Sequence, residues 1–314
     1  LLNNVLLVSA TLLVAIGTLY PLVLDYLDAG KLSIGAPFFN TTFSPLAVAT
    51  GLLLGAGIFS RWKKTDGGML ARKLLWPLAI SLVATAAVMV NYGSFAPWAF
   101  AGVFTAIWIA VATLWDLWDK SASRQGRLHG LKRQSRSYWG MVLGHLGVAM
   151  VMAGATVVSN YGVERDVRMT PGDSAMVGDY EIVFTEIGER QGANFTAQYG
   201  SFNVFLDGKL VTDLHPEKRN YPVGMSVMTE ADIDAGLFRD VFVAIGERIS
   251  DDAWAIRLQY KPLVRWLWLG SLVMAIGGFL AIADKRYRIR VKAEERQKAQ
   301  AGNTAPGKPA EASS

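Results

Sequence analysis

Six apolar runs long enough to cross a bilayer recur along this chain, and they restrict its fold more than any other feature. They cover residues 2–24, 42–60, 74–90, 98–117, 139–159 and 264–282, each close to the ~20 residues that ~30 Å of hydrocarbon requires. Hydrocarbon offers no partner for backbone amides, so such runs fold as helices that satisfy their own N–H and C=O groups. With 52 % hydrophobic and 18 % charged residues, the composition suits several spans with a polar domain attached. The third run is the shortest, and Trp76-Pro77 stands near its start, where a proline in the first turn is tolerated.

Basic residues alternate between the connections. Residues 25–41 hold only Lys31, and 91–97 hold no Lys or Arg. Residues 61–73 hold Arg61, Lys63, Lys64, Arg72 and Lys73, and 116–137 hold Lys120, Arg124, Arg127, Lys132, Arg133 and Arg136. Lys285, Arg286, Arg288, Arg290 and Lys292 follow the last run. Positive residues stay inside, which places both ends and the two basic loops in the cytoplasm.

Between the fifth and sixth runs lies a polar segment, 161–262, with seventeen acidic residues against ten Lys and Arg. An acidic segment opposite a basic cytoplasmic face reads as a translocated, periplasmic domain. Its period is that of strands: Tyr180, Ile182 and Phe184 alternate, as do Phe202, Val204 and Leu206, then Trp254, Ile256, Leu258 and Tyr260. Asp207-Gly208 between 202–206 and 210–214 is a two-residue hairpin signal, and Gly178-Asp179 is a second turn. The expected fold class is a polytopic α-helical membrane protein of about six spans, with one small antiparallel β domain inserted between the fifth and sixth helices. That domain is expected to be a sandwich or barrel of about six to eight strands, with a short helix near 229–236. The last strand runs into Lys261, Arg265, Trp266 and Trp268, an interfacial anchor for the sixth span. The divisions are 1–160 (five spans), 161–262 (periplasmic β domain), 263–284 (last span) and 285–314 (basic, then disordered cytoplasmic tail ending GNTAPGKPAEASS).

The fifth span carries one ionisable residue at membrane depth, His145. At ~100° per residue, Gly140, Gly144, Gly147 and Gly154 form a small-residue stripe that admits a neighbouring helix. Tyr138, Met141, His145, Met152 and Thr156 share a second face ~140° away, so the imidazole stands among polarizable thioethers. Nine residues past Arg136, or ~13 Å of rise, it falls in the cytoplasmic half of the hydrocarbon. Two readings are open: a neutral imidazole ligating haem iron, or a hydrogen-bonding group facing another helix. The other histidines, His129 and His215, fall outside the spans, so a second axial ligand would come from elsewhere.

The chain has no cysteine, which removes disulfides, iron–sulfur ligation and thiolate catalysis by this polypeptide. No nucleotide loop, hydrolytic triad or zinc signature occurs, and nothing points to nucleic acid. Trp115, Asp116, Trp118 and Asp119 at the end of the fourth span read as interfacial belt. His215 before Pro216 reads as a surface residue, and the patch LHPEKRNYP, with Glu217, Lys218, Arg219 and Tyr221, is a candidate partner contact or an ordinary loop. The opening LLNNVLL, without Met, reads as part of a longer polypeptide.

LHPEKRNYP, MTEADIDAGLFRDVFVAIGE and DDAWAIRLQYKPLVRWLWLGSLVMAIGGFLAIADKRYR resemble the C-terminal half of the CcmF/NrfE family, subunits of the cytochrome c haem lyase. GHLGVAM around His145, the LLNNVLL opening and SIGAPFFN are similar to the same half. The resemblance implies cytochrome c maturation in the bacterial inner membrane: haem comes from a membrane-anchored haem chaperone and is attached to C-x-x-C-H motifs of apocytochromes, alongside thiol-reducing subunits. It also implies a b-type haem (haem b) in the membrane, held by two histidines and fed by quinol so that the incoming haem stays reduced. His145 matches the second of those histidines. The first, the tryptophan-rich haem-handling segment and two periplasmic histidines belong to the N-terminal half, and this chain has none of them. The resemblance therefore implies a fragment or a split subunit, inactive alone, that partners the N-terminal half. A non-catalytic docking module and a haem transmembrane transporter are the alternatives.

Overall fold

The structure is a computed structural model and describes residues 2–60, 67–223 and 226–284. The expected basic residues Arg61, Lys63 and Lys64 and the whole 285–314 tail lie outside the described residues. Among the described residues six helices have the length and apolarity to cross a membrane: α1 (Leu2–Tyr26), α2 (Ala36–Gly57), α3 (Gly67–Tyr92), α4 (Pro97–Lys120), α6 (Arg136–Tyr161) and α7 (Val264–Ile282). A one-and-a-half-turn helix, α5 (Arg127–Lys132), joins α4 to α6. The protein is a multi-pass membrane protein with a β domain between its last two spans.

Several spans run further than the apolar runs. α2 begins at Ala36, with Pro37 in its first turn where a proline is tolerated, and the polar residues that follow bond within the helix: Thr41 Oγ1 donates to Pro37 O at 2.8 Å and Thr42 Oγ1 to Phe38 O at 2.6 Å. α3 begins at Gly67, so Pro77 stands inside the helix and not in its first turn. Nearby hydroxyls stay within the helix, Ser81 Oγ donating to Pro77 O and Thr85 Oγ1 to Ser81 O, both at 2.7 Å. Such self-contained bonding is what makes Pro, Ser and Thr tolerable at this depth.

α4 is the helix most enclosed, with Ala99, Val103, Ala106, Ile109 and Ala112 buried against α2, α3 and α6. α2 approaches it through Gly51, against Thr105 and Ile109, and Gly55, against Trp108. The Trp108 indole closes that contact by donating to Leu52 O at 3.0 Å. α1 packs on α2, where Gly17 lies under the rings of Phe38 and Phe39.

The most extensive helix contact is α6 on α7. Its seam is glycine on both sides. A Cβ added at Gly140 would stand 2.5 Å from Gly277 O, one at Gly147 2.6 Å from Gly270 O, and one at Gly154 3.0 Å from Leu263 O. The reverse holds at Gly270 and Gly277, which face Gly147 O and Gly140 O at 2.6 and 2.7 Å. Three of the four glycines in the stripe read from the sequence, Gly140, Gly147 and Gly154, thus form the α7 contact, while the Cβ position of Gly144 points into open space.

The β domain contains ten strands among the described residues, more than the six to eight expected. They are β1 (Val163–Met169), β2 (Ser174–Val177), β3 (Tyr180–Gln191), β4 (Thr196–Leu206), β5 (Lys209–Leu214), β6 (Glu217–Tyr221), β7 (Ser226–Glu230), β8 (Asp232–Ala235), β9 (Arg239–Arg248) and β10 (Trp254–Pro262). Two antiparallel sheets, β1-β10-β9-β8 and β2-β3-β4-β6-β7 with β5 beside β4, face each other as a sandwich. Their inner faces supply one core: Ile182, Phe184, Phe202 and Val204 from one sheet, Val243, Ile245, Ile256 and Leu258 from the other. Phe184 and Phe202 stack at its centre, 4.6 Å apart. The 207–208 turn has φ of 51° and 72° at its two residues, the positive pair that a tight hairpin requires.

The short helix expected at 229–236 is absent. The acidic, alanine-containing TEADIDAG suggests a helix, yet 226–230 pairs with β6 and 232–235 with β9, and the chain changes sheets at Ala231. Asp232 favours the extended form locally: its side chain accepts from its neighbour Ile233 N at 2.8 Å and from His215 N at 2.7 Å.

The glycine seam makes a specific forecast. Gly147→Val must push against the Gly270 carbonyl and should cost ~1–3 kcal/mol, read as a lower thermal midpoint of the detergent-solubilised protein. Gly144→Ala, whose Cβ meets open space, should stay within ~0.5 kcal/mol of wild type.

Candidate functional site

α6 turns one face to α7 and the opposite face towards α4 and α2. Along that second face Tyr138 reaches Asp116 of α4, Met152 Sδ lies by Gly51 of α2, and Thr156 sits on Gly102 of α4. His145 lies between these contacts and is half-buried. The glycine seam fixes which way α6 is turned, and so which way the imidazole is turned.

His145 Nδ1 lies 2.8 Å from Met141 O. A carbonyl can only accept, so Nδ1 carries the proton and Nε2 keeps its lone pair. No other hydrogen bond to the ring occurs among the described residues. A carbonyl holding the far ring proton is the usual arrangement behind a metal-bound imidazole, because it fixes both tautomer and orientation. The chemistry of the ring therefore suits a metal ligand, a haem iron among those it could hold.

The chain supplies one such ligand. His129 lies exposed in α5, and His215 lies exposed in the β domain with Nδ1 3.2 Å from Ser201 Oγ. Neither joins His145. Among the described residues no group of three or more His, Asp or Glu is placed to hold a metal.

The aromatic-acidic end of α4 divides into two roles. Trp118 is exposed, with the Arg127 guanidinium stacked 3.5 Å from its ring, and Asp119 is 3.5 Å from Lys73. These behave as interfacial belt. Asp116 is different: it is buried, and its Oδ2 accepts from Tyr138 OH at 2.8 Å and Lys120 Nζ at 2.9 Å. Lys120 also lies over the Tyr138 ring, 4.5 Å from its centre. A carboxylate so enclosed needs both partners. The sequence hint was an Asp within an apolar helix, one helical turn before a Lys.

LHPEKRNYP forms β6 and its entry, not a loop, and its charges are engaged within the chain. Buried Glu217 pairs with Arg190 at 2.6 Å and Arg219 at 2.9 Å, and Lys218 pairs with Glu247 at 2.7 Å. Arg219 is held above the usual arginine range, first by its hydrogen bond to Glu217.

Fold and site define a polytopic membrane protein with a β-sandwich between its last two spans and one metal-competent imidazole inside a span. The family model described as the CcmF C-terminal beta-sandwich matches residues 160–262. The cytochrome c-type biogenesis protein CcmF of Pseudomonas aeruginosa is 45 % identical over 298 residues, covering 95 % of this chain and 45 % of that protein. CcmF of Escherichia coli K12 is 42 % identical over 93 % of this chain and 44 % of its own. This chain corresponds to the C-terminal half of CcmF, in the cytochrome c-type biogenesis family. It spans rather less than half the length of the curated relatives it matches. A solved structure titled Cytochrome c Heme Lyase CcmF has the same fold, with a TM-score of 0.67 at 21 % identity, over 90 % of this chain and 45 % of that one.

The buried carboxylate gives a test of the α4–α6 contact. Tyr138→Phe removes one hydrogen bond to a charged acceptor and should cost ~1.5–3 kcal/mol, read as a lower thermal midpoint in detergent. Tyr92→Phe, outside this network, should shift it far less.

Proposed function

We propose that this chain forms the C-terminal, membrane-embedded part of a cytochrome c haem lyase in the bacterial inner membrane, and that His145 Nε2 is an axial ligand to a b-type haem. The second histidine belongs to the other half of the protein. The observation that carries this reading is the Nδ1 contact to Met141 O, which commits the ring to the tautomer that leaves Nε2 open. The family correspondence supports the choice of haem over other metals.

In this reading the chain's own residues position and do not react. Met141 O holds the Nδ1 proton and sets the ring plane. The α6–α7 seam sets the rotation of the helix. The spans exclude water, which suits a neutral imidazole ligand. A haem held there would supply one-electron chemistry, with quinol as the electron source, for keeping the substrate haem reduced. Haem arrives from a membrane-anchored chaperone and is attached to apocytochrome c with thiol-reducing subunits at hand. Charge supports one sidedness. Lys73 meets Asp119, and Asp284 beyond α7 accepts from Ser137 N at 3.0 Å. Among the described residues, Lys73 and the α4–α6 connection with its basic residues therefore lie at the end of the bundle opposite the sandwich. The preference of basic residues for the cytoplasm supports a periplasmic sandwich.

Co-expression with the N-terminal half of CcmF should give a low-spin b-type spectrum on reduction. His145→Ala should abolish it, and added imidazole should restore it in part, whereas Met152→Leu should leave it intact. An unchanged spectrum in His145→Ala would refute the assignment.

A further inference from the structure

The loop joining β8 to β9 carries two large apolar side chains into the open. Leu237 is 55 % exposed and Phe238 63 %. The backbone beneath them is tied to the head of the last span. Leu263 N donates to Phe238 O at 2.8 Å, and the Trp266 indole donates to Leu237 O at 3.1 Å. Phe238 lies 6.3 Å from the Trp266 ring, centre to centre. Below the loop, buried Asp240 accepts from Gly236 N at 3.0 Å and from Arg265 Nε at 2.9 Å. The two side chains are thus held, by strand, indole and ion pair, at the level of the first turn of α7.

That level is where a membrane protein meets the bilayer boundary. At the same end of the bundle, Phe95 in the α3–α4 connection and Trp98 at the start of α4 are also exposed, as is Trp268 two residues past Trp266. Aromatic side chains collect at this depth because their rings are apolar and their polar tips remain wet. We propose that Leu237 and Phe238 form a lipid-inserting tip, by which the sandwich rests on the acyl–headgroup boundary beside α7. The acidic domain disfavours anionic headgroups, so the tip engages the bilayer through apolar contact and not through charge. Because the loop is already ordered by its own hydrogen bonds, insertion immobilises little.

The chain lacks cysteine, so single labels are easily placed. Leu237→Cys, Phe238→Cys and Ile249→Cys would each carry a nitroxide, in the full chain within phosphatidylcholine nanodiscs. Ile249, also exposed, follows the far end of β9, ten residues from Arg239, which puts it ~30 Å from the tip. Collision rates with oxygen, which dissolves in lipid, and with a water-soluble nickel chelate would be measured. The oxygen-to-nickel ratio should be several-fold higher at 237 and 238 than at 249. Ratios equal to that at 249 would overturn the proposal by placing the tip in water. Low rates with both reagents would overturn it by placing the tip under protein, another chain or a second copy. Unchanged thermal midpoints would confirm that each labelled protein is folded.

Discussion

Where α6 crosses α7, glycine on each helix lets a carbonyl of the other come within 2.7 Å of the place a Cβ would occupy. In hydrocarbon, helices gain nothing by hiding apolar surface from water, so such close van der Waals packing is what holds two spans together. The two helices are separated in sequence by the whole β domain, yet they make the most extensive helix contact in the molecule. The seam therefore closes the sandwich's two attachment points against each other. It also fixes the rotation of α6, and with it the direction of the imidazole on the far face.

Much of the architecture was legible because membrane and sheet impose different periods. Uninterrupted apolar runs marked the six spans, and alternation picked out inner-face residues such as Ile182, Phe184, Val204, Ile256 and Leu258, all of which are buried. The ends of helices were harder to read. The first turns of α2 and α3 carry proline, asparagine, threonine or glycine beside apolar residues, and only bonds such as Thr42 to Phe38 O show how the polar ones remain helical. The missed strands were short or solvated. β7 and β8 carry acidic residues on exposed edges, and local composition there points to a helix, while pairing with β6 and β9 decides the outcome.

The site was legible in part for a similar reason. A lone His inside an apolar helix stands out because its cost in lipid demands an explanation. Its tautomer could not be read, since that depends on the distance to Met141 O. The role of Asp116 could not be read either. One residue pattern, alternating Trp and Asp near a helix end, contains both solvated belt residues and a buried carboxylate. The difference lies in Tyr138, twenty-two positions away. Glu217 and Lys218, which looked available for a partner, are occupied by charges from β3 and β9.

The sandwich joins the bundle through single residues, Gly162 after α6 and Leu263 before α7, the latter held at φ 54°. No slack separates either joint from its strand. The placing of the outer domain is therefore set within a residue of each helix end, by the same pair of spans that orients His145.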